Sequence, residues 1–142
     1  MDVTSAGAIP TLESALAFSW KRHEVILNNI ANASTPGFRG QDLPVDEFQA
    51  ALRRATDAGR ATQPVVLGGM PAQPAFASGS DFSILRTLSP IPTGGIPGHD
   101  GNDVVAEVEA AKMAKNAAFY TALTQLLSRQ FDLIESAIRE RP

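Results

Sequence analysis

Asn28-Asn29-Ile30-Ala31-Asn32-Ala33-Ser34-Thr35-Pro36-Gly37-Phe38 is the stretch on which the chain turns. Three Asn within five positions is poor helix chemistry, because short amide side chains compete for backbone hydrogen bonds. Thr35 precedes a proline and is pushed out of the α region. Pro36-Gly37 suits the two central positions of a type II turn, where Pro fixes a negative φ and Gly accepts a positive one. A helix therefore ends here and the chain reverses. That ending explains Pro36 and Gly37. It does not explain Asn28 and Asn29, which fall a turn before the stop.

Upstream of the turn the spacing predicts a helix over 11–33, opened by Pro10 at its first position or by Thr11 as cap. Leu12, Leu16, Trp20 (or Ser19), His23, Leu27 and Ile30 follow three-and-four spacing and define its apolar face. Residues 1–10 are small and weakly patterned, a mobile lead-in. Downstream, residues 34–58 hold the turn and a short second helix over 44–55. Pro44 suits its first position, Asp46 and Glu47 its first turn, and Arg53 and Arg54 its last. Val45, Phe48 and Leu52 form its stripe, and Gly59 reads as its stop.

Residues 59–101 hold 6 of the 10 prolines and 8 of the 11 glycines, which excludes helix over most of their length. Two runs there, at 64–67 and 82–85, have the composition of short strands. The remainder is expected to be loose in the isolated chain. Residues 102–139 form the longest periodic segment, with Asn102 or Asp103 as cap and Glu107 and Glu109 early. Met113, Ala117, Tyr120, Leu123, Leu127, Phe131, Ile134 and Ile138 line one stripe. Phe119, Leu126 and Leu133, seven apart, line a second beside it.

The fold class that follows is mainly α. N- and C-terminal helices pair as an antiparallel, coiled-coil-like hairpin, joined by an irregular Gly/Pro-rich middle with room for short β-strands. The whole forms one domain over 1–142. A two-helix hairpin has a thin core, and two apolar stripes on one helix exceed what it can cover. Surplus apolar surface marks an interface, so self-association or a partner bundle is expected.

Composition narrows the function. The apolar fraction is 44%, but 22 of those residues are Ala, so bulky core formers are fewer than the fraction suggests. A net charge of −3 gives no electrostatic case for nucleic acid, and no basic amphipathic face suits an anionic membrane. With no Cys there is no disulfide, thiolate metal site or catalytic thiol. No apolar run approaches the roughly 20 residues that span a bilayer. Residues 1–10 lack the basic and apolar regions of a cleaved signal peptide.

The sequence carries no active-site motif. Gly94-Gly95-Ile96-Pro97-Gly98 lacks the spacing and Lys of a phosphate loop, and Asp100 and Asp103 would repel a phosphate. Asp100-Gly101-Asn102-Asp103 begins like a calcium loop, but Val105 and Ala111 stand where Gly and Glu are needed. His23 and His99 have no ligand partner at helical spacing. Glu107 and Glu109 are two apart and point to different faces, so a solvated face is expected for both. Ser34-Thr35 has no neighbouring base. No catalytic residue, metal or cofactor is expected.

The opening stretch resembles the N-terminal signature of bacterial flagellar rod, hook and hook-associated proteins. The residues that carry it are Asn28, Asn29, Ile30, Ala31, Asn32, Ala33, Thr35, Pro36, Gly37 and Phe38. Ser34 stands where many members have Asp or Asn. At 142 residues there is no room for the large inserted domain of the hook and distal-rod members. One of the short rod types carries Tyr-x-Ala-Asn in its C-terminal helix. Here Tyr120-Thr121-Ala122-Leu123 lacks the Asn, and Gly101-Asn102-Asp103-Val104, Asn116-Ala117 and the run 122–129 are similar to the other type.

The resemblance implies a non-enzymatic subunit of the proximal rod, the drive shaft crossing the periplasm. It implies export by the flagellar type III apparatus without a cleaved signal, and terminal helices that pair into a coiled-coil inner layer on assembly. The implied partners are copies of itself, other rod proteins and the adaptor joining rod to membrane ring. Periodicity then assigns the faces. Leu12, Leu16, Leu27 and Ile30 meet Tyr120, Leu123, Leu127, Phe131 and Ile134 within a subunit, while Phe119, Leu126 and Leu133 face neighbours. Asn28, Asn29 and Asn32 offer hydrogen bonds that set register with a neighbour. The competing reading is a soluble helical-hairpin adaptor that binds a partner without polymerising.

Overall fold

The structure, a computed structural model, describes residues 8–61 and 88–139. Helix α1 spans Ala8–Ala31, a two-residue strand β1 spans Gln41–Asp42, and helix α2 spans Val45–Ala61. Strand β2, Ile91–Pro92, pairs antiparallel with β1, with Gln41 opposite Pro92 and Asp42 opposite Ile91. Helix α3, Ala106–Arg139, closes the chain. The protein is mainly helical, and the N- and C-terminal helices pack against each other, as expected.

Several boundaries differ from the sequence reading, each for a local reason. Helix α1 begins at Ala8, before Pro10, because the first turn needs no internal N–H partner and tolerates proline throughout. Helix α2 runs through Gly59 to Ala61: an isolated Gly costs about 1 kcal/mol in a helix and does not by itself stop one. Pro44 lies just outside α2, where its carbonyl accepts the Phe48 N–H at 3.1 Å. Helix α3 starts at Ala106, and it is the Val105 carbonyl that accepts from Val108 and Glu109. Asn102 is therefore not its cap. Short strands were expected in the Gly/Pro-rich middle, and β2 falls there, pairing with β1 ahead of it; the runs at 64–67 and 82–85 lie outside the described residues.

Residues 88–105 are irregular but pinned. Gly40 is their anchor: its carbonyl accepts the Thr93 N–H at 2.9 Å, and its N–H donates to Asp103 Oδ1 at 2.6 Å. A Cβ on Gly40 would meet Thr93 Oγ1 at 3.1 Å and Val104 Cγ2 at 3.2 Å, so a larger residue here requires those side chains to shift.

The core is small. Ala15 and Phe18 of α1, Leu43, Phe48 of α2, Leu88 and Leu123 of α3 form it, with Leu12, Leu16, Val25, Val45 and Leu52 packed at its edge. Phe18 and Phe48 stack with ring centroids 4.0 Å apart and planes 8° apart, which ties α2 to α1. Ile26 is fully buried farther along α1.

The buried face of α1 is thus Ser14, Ala15, Phe18, Ser19, Ile26 and Asn29. It is rotated by about one residue from the expected stripe of Trp20, His23 and Leu27. Trp20 is 58% exposed and Leu27 is also exposed. The polar residues on this face had hidden it from a count of apolar positions. The expected partners on α3 are corrected likewise: Leu123 enters the core, whereas Tyr120 and Phe131 are exposed and Leu127 and Ile134 are half-buried.

Candidate assembly surface

The turn has the geometry that its sequence requires. Phe38 N–H donates to the Thr35 carbonyl at 3.2 Å across Pro36-Gly37, and Gly37 sits at φ 73°, the positive value of a type II turn. Around it the carbonyls of Asn28, Asn29 and Ile30 near the end of α1 accept from Asn32 and Ala33 N–H groups. Asn32 Nδ2 donates to the Asn28 carbonyl at 2.8 Å, and Thr35 Oγ1 donates to Asn32 Oδ1 at 3.2 Å. Asn102, seventy residues away in sequence, donates through Nδ2 to the carbonyls of Asn32, Ala33 and Thr35 at 2.9, 3.1 and 2.9 Å. It caps α1 from across the molecule, while its Oδ1 accepts the Val104 N–H at 2.8 Å.

Asn29 explains itself differently from its neighbours. It is fully buried, and its Nδ2 donates to Glu109 Oε2 at 2.9 Å and to the Gln41 carbonyl at 2.6 Å. Its Oδ1 accepts the Gln41 N–H at 3.1 Å. The expectation that Asn29 offers its amide to a neighbouring subunit is therefore corrected: α1, β1 and α3 use it within one chain. Asn28 is exposed and Asn32 half-buried.

Glu109, expected on a solvated face, is buried. Its second oxygen accepts from Lys112 Nζ at 2.6 Å, and that ammonium lies 4.0 Å from Asp42 Oδ2. Asp42 in turn takes Arg22 in a two-pronged pair, Nε to Oδ1 and Nη2 to Oδ2, both at 2.8 Å. Burial penalises the Asp42 carboxylate, but the Arg22 hydrogen bonds and charge, the Leu43 N–H and Lys112 outweigh it and hold its pKa below the usual carboxylate value. The same bond to Asp42 raises Arg22 against the opposing effect of burial, with the charges of Asp42 and Glu109 adding to the rise. One turn pair farther along α3, Asn116 and Ser19 exchange two buried bonds: Ser19 Oγ to Asn116 Oδ1 at 3.1 Å, and Asn116 Nδ2 to the Ser19 carbonyl at 2.9 Å.

The spacing of seven from Asn102 to Glu109 to Asn116 to Leu123 was visible in the sequence and would have marked this seam. Nothing in the sequence linked Arg22 to Asp42.

Outside this seam α3 is mostly bare. Phe119, Leu126 and Leu133 are 50%, 48% and 60% exposed, and Phe131 and Ile138 are exposed as well. Among the described residues no cluster of acidic, His or Cys side chains could hold a metal, and no helix is long and apolar enough to cross a membrane.

A model of the flagella basal body rod protein family matches residues 9–39, which span α1 and the turn. Similarity to individual proteins runs almost end to end. The flagellar basal body rod protein FlgB of Yersinia enterocolitica is 30% identical over 135 residues, covering 94% of this chain and 95% of the relative. FlgB of Escherichia coli is 33% identical over 121 residues, with 83% of each chain covered. FlgB of Cereibacter sphaeroides is 31% identical over 125 residues, with 88% of each covered. The chain belongs to the FlgB family of flagellar basal body rod proteins, whose role is structural and not enzymatic.

Proposed function

We propose that this chain is a subunit of the proximal rod that assembles, through α1 and α3, with copies of itself and other rod proteins into the axial drive shaft. The observation that carries the proposal is the bare stripe Phe119, Leu126 and Leu133 on α3. Apolar residues at heptad spacing form a seam for another helix, and among the described residues no helix of this chain covers them. Exposed Trp20 and Leu27 on α1 add a second apolar strip. In the rod, these faces meet neighbouring subunits.

The rod-to-ring adaptor is the further partner at the membrane end, and the flagellar type III apparatus exports the chain without a cleaved signal. Asn28, exposed, and Asn32, half-buried, are the signature amides still placed to meet a neighbour.

The test is complementation of a strain lacking the protein. Leu126→Asp/Leu133→Asp leaves the helix pair intact and is expected to abolish swimming, with no rod in imaged basal bodies. Normal rods from this variant overturn the proposal. A wild-type chain that sediments as a folded monomer at high concentration would favour a non-polymerising adaptor.

A further inference from the structure

Helix α3 has three buried residues, Glu109, Asn116 and Leu123, spaced by seven, and two of them are polar. Each polar one is matched: Glu109 by Asn29 and Asn116 by Ser19, both partners themselves buried. These are two rungs across the line where a coiled-coil pair ordinarily places apolar side chains. On α3 the rungs are seven residues apart; on α1 they are ten apart. We infer that these two unequal rungs, rather than the apolar stripe, set the register of α1 against α3.

The apolar contacts alone leave alternatives open. A helix rich in Ala, with Leu and Phe recurring at seven, slides by a heptad onto a similar surface. The rungs forbid this. Because their intervals differ, no slip that re-pairs one rung re-pairs the other. A slip parts the Asn116 amide from Ser19 and Asn29 from Glu109, so that Asn116 and one Glu109 oxygen lose their partners while Gln41 and Lys112 still hold Asn29 and the other oxygen, and a lost partner for a buried polar group costs more than the bond itself contributes. A single buried Asn acts in this way in coiled coils, at some cost in stability. In this chain the register also fixes where along the pair the exposed strip Phe119, Leu126 and Leu133 lies relative to exposed Trp20 and Leu27. The inference concerns the isolated subunit and does not rest on the rod assignment.

The chain has no Cys, so paired spin labels can be placed cleanly at the exposed positions Glu24→Cys and Ser128→Cys. Electron–electron distance measurement on the full chain is expected to give one narrow distribution. The variant Ser19→Ala/Asn29→Leu/Glu109→Leu/Asn116→Leu replaces both rungs with apolar side chains. A heptad slip displaces the helices by about 10 Å. The variant is therefore expected to keep its helical circular dichroism and show a second distance component, displaced by several ångströms. A version with Ala at all four positions avoids overpacking and is expected to behave the same way. One unchanged distance in either helical variant overturns the inference, as does a broad distribution in the wild-type chain. Loss of helix in both variants would make the rungs a source of stability rather than register, and overturns it too.

Discussion

At Asn29 every amide atom is spoken for, with Gln41 on one side and Glu109 on the other. Removing one member of such a set is worse than removing two. Asn29→Leu leaves one oxygen of Glu109 without its partner beneath α1 and the Gln41 backbone without its amide, and is expected to destabilise the chain by about 2–3 kcal/mol. Asn29→Leu/Glu109→Leu recovers much of that loss. Chemical denaturation of both variants checks the difference. Asp42 offers a second test. Its pKa is depressed in the folded chain, so its contribution is complete above the unfolded value near pH 4 and is lost as pH falls through the lower folded value. Melting temperature should therefore drop below about pH 4 in the wild type. Asp42→Asn, already lacking the ion pair, should melt lower at neutral pH with a shallower acid slope.

Among the elements, α2 is held largely by one ring. Phe48 stacks on Phe18, and Phe48→Ala removes the stack and leaves a cavity, at an expected cost of about 3–5 kcal/mol. Hydrogen exchange should show α2 losing protection before α1 and α3 do. The existence of the three described helices was legible in the sequence, because amphipathic periodicity and proline placement are local signals. The face of α1 was less so. Phe18 and Ile26 are apolar, but Ser19 and Asn29 beside them are polar, and a hydrophobic pattern gives no credit to a polar residue that finds its partner ninety-seven or eighty positions away. The same limit hid the true use of Asn102. As a residue ahead of a helix it reads as that helix's cap, and only the fold brings it to the end of α1. The turn at Pro36-Gly37 was fully legible because it depends on backbone preferences alone.

For the whole molecule, the proposed rod role assigns the polar seam to folding and the apolar outer strips to assembly. Leu126→Asp/Leu133→Asp changes exposed positions, so its effect on the monomer's melting is expected to stay within about 0.5 kcal/mol while rod formation fails. Equal losses of both would show that the strips belong to the subunit core. A last consequence lies in the strand pair. Strand β1 lies just ahead of α2 and β2 lies ahead of α3, so β1–β2 and the Gly40 anchor tie the segment leading into one helix to the segment leading into the other. The entries to these two helices are thereby clasped together.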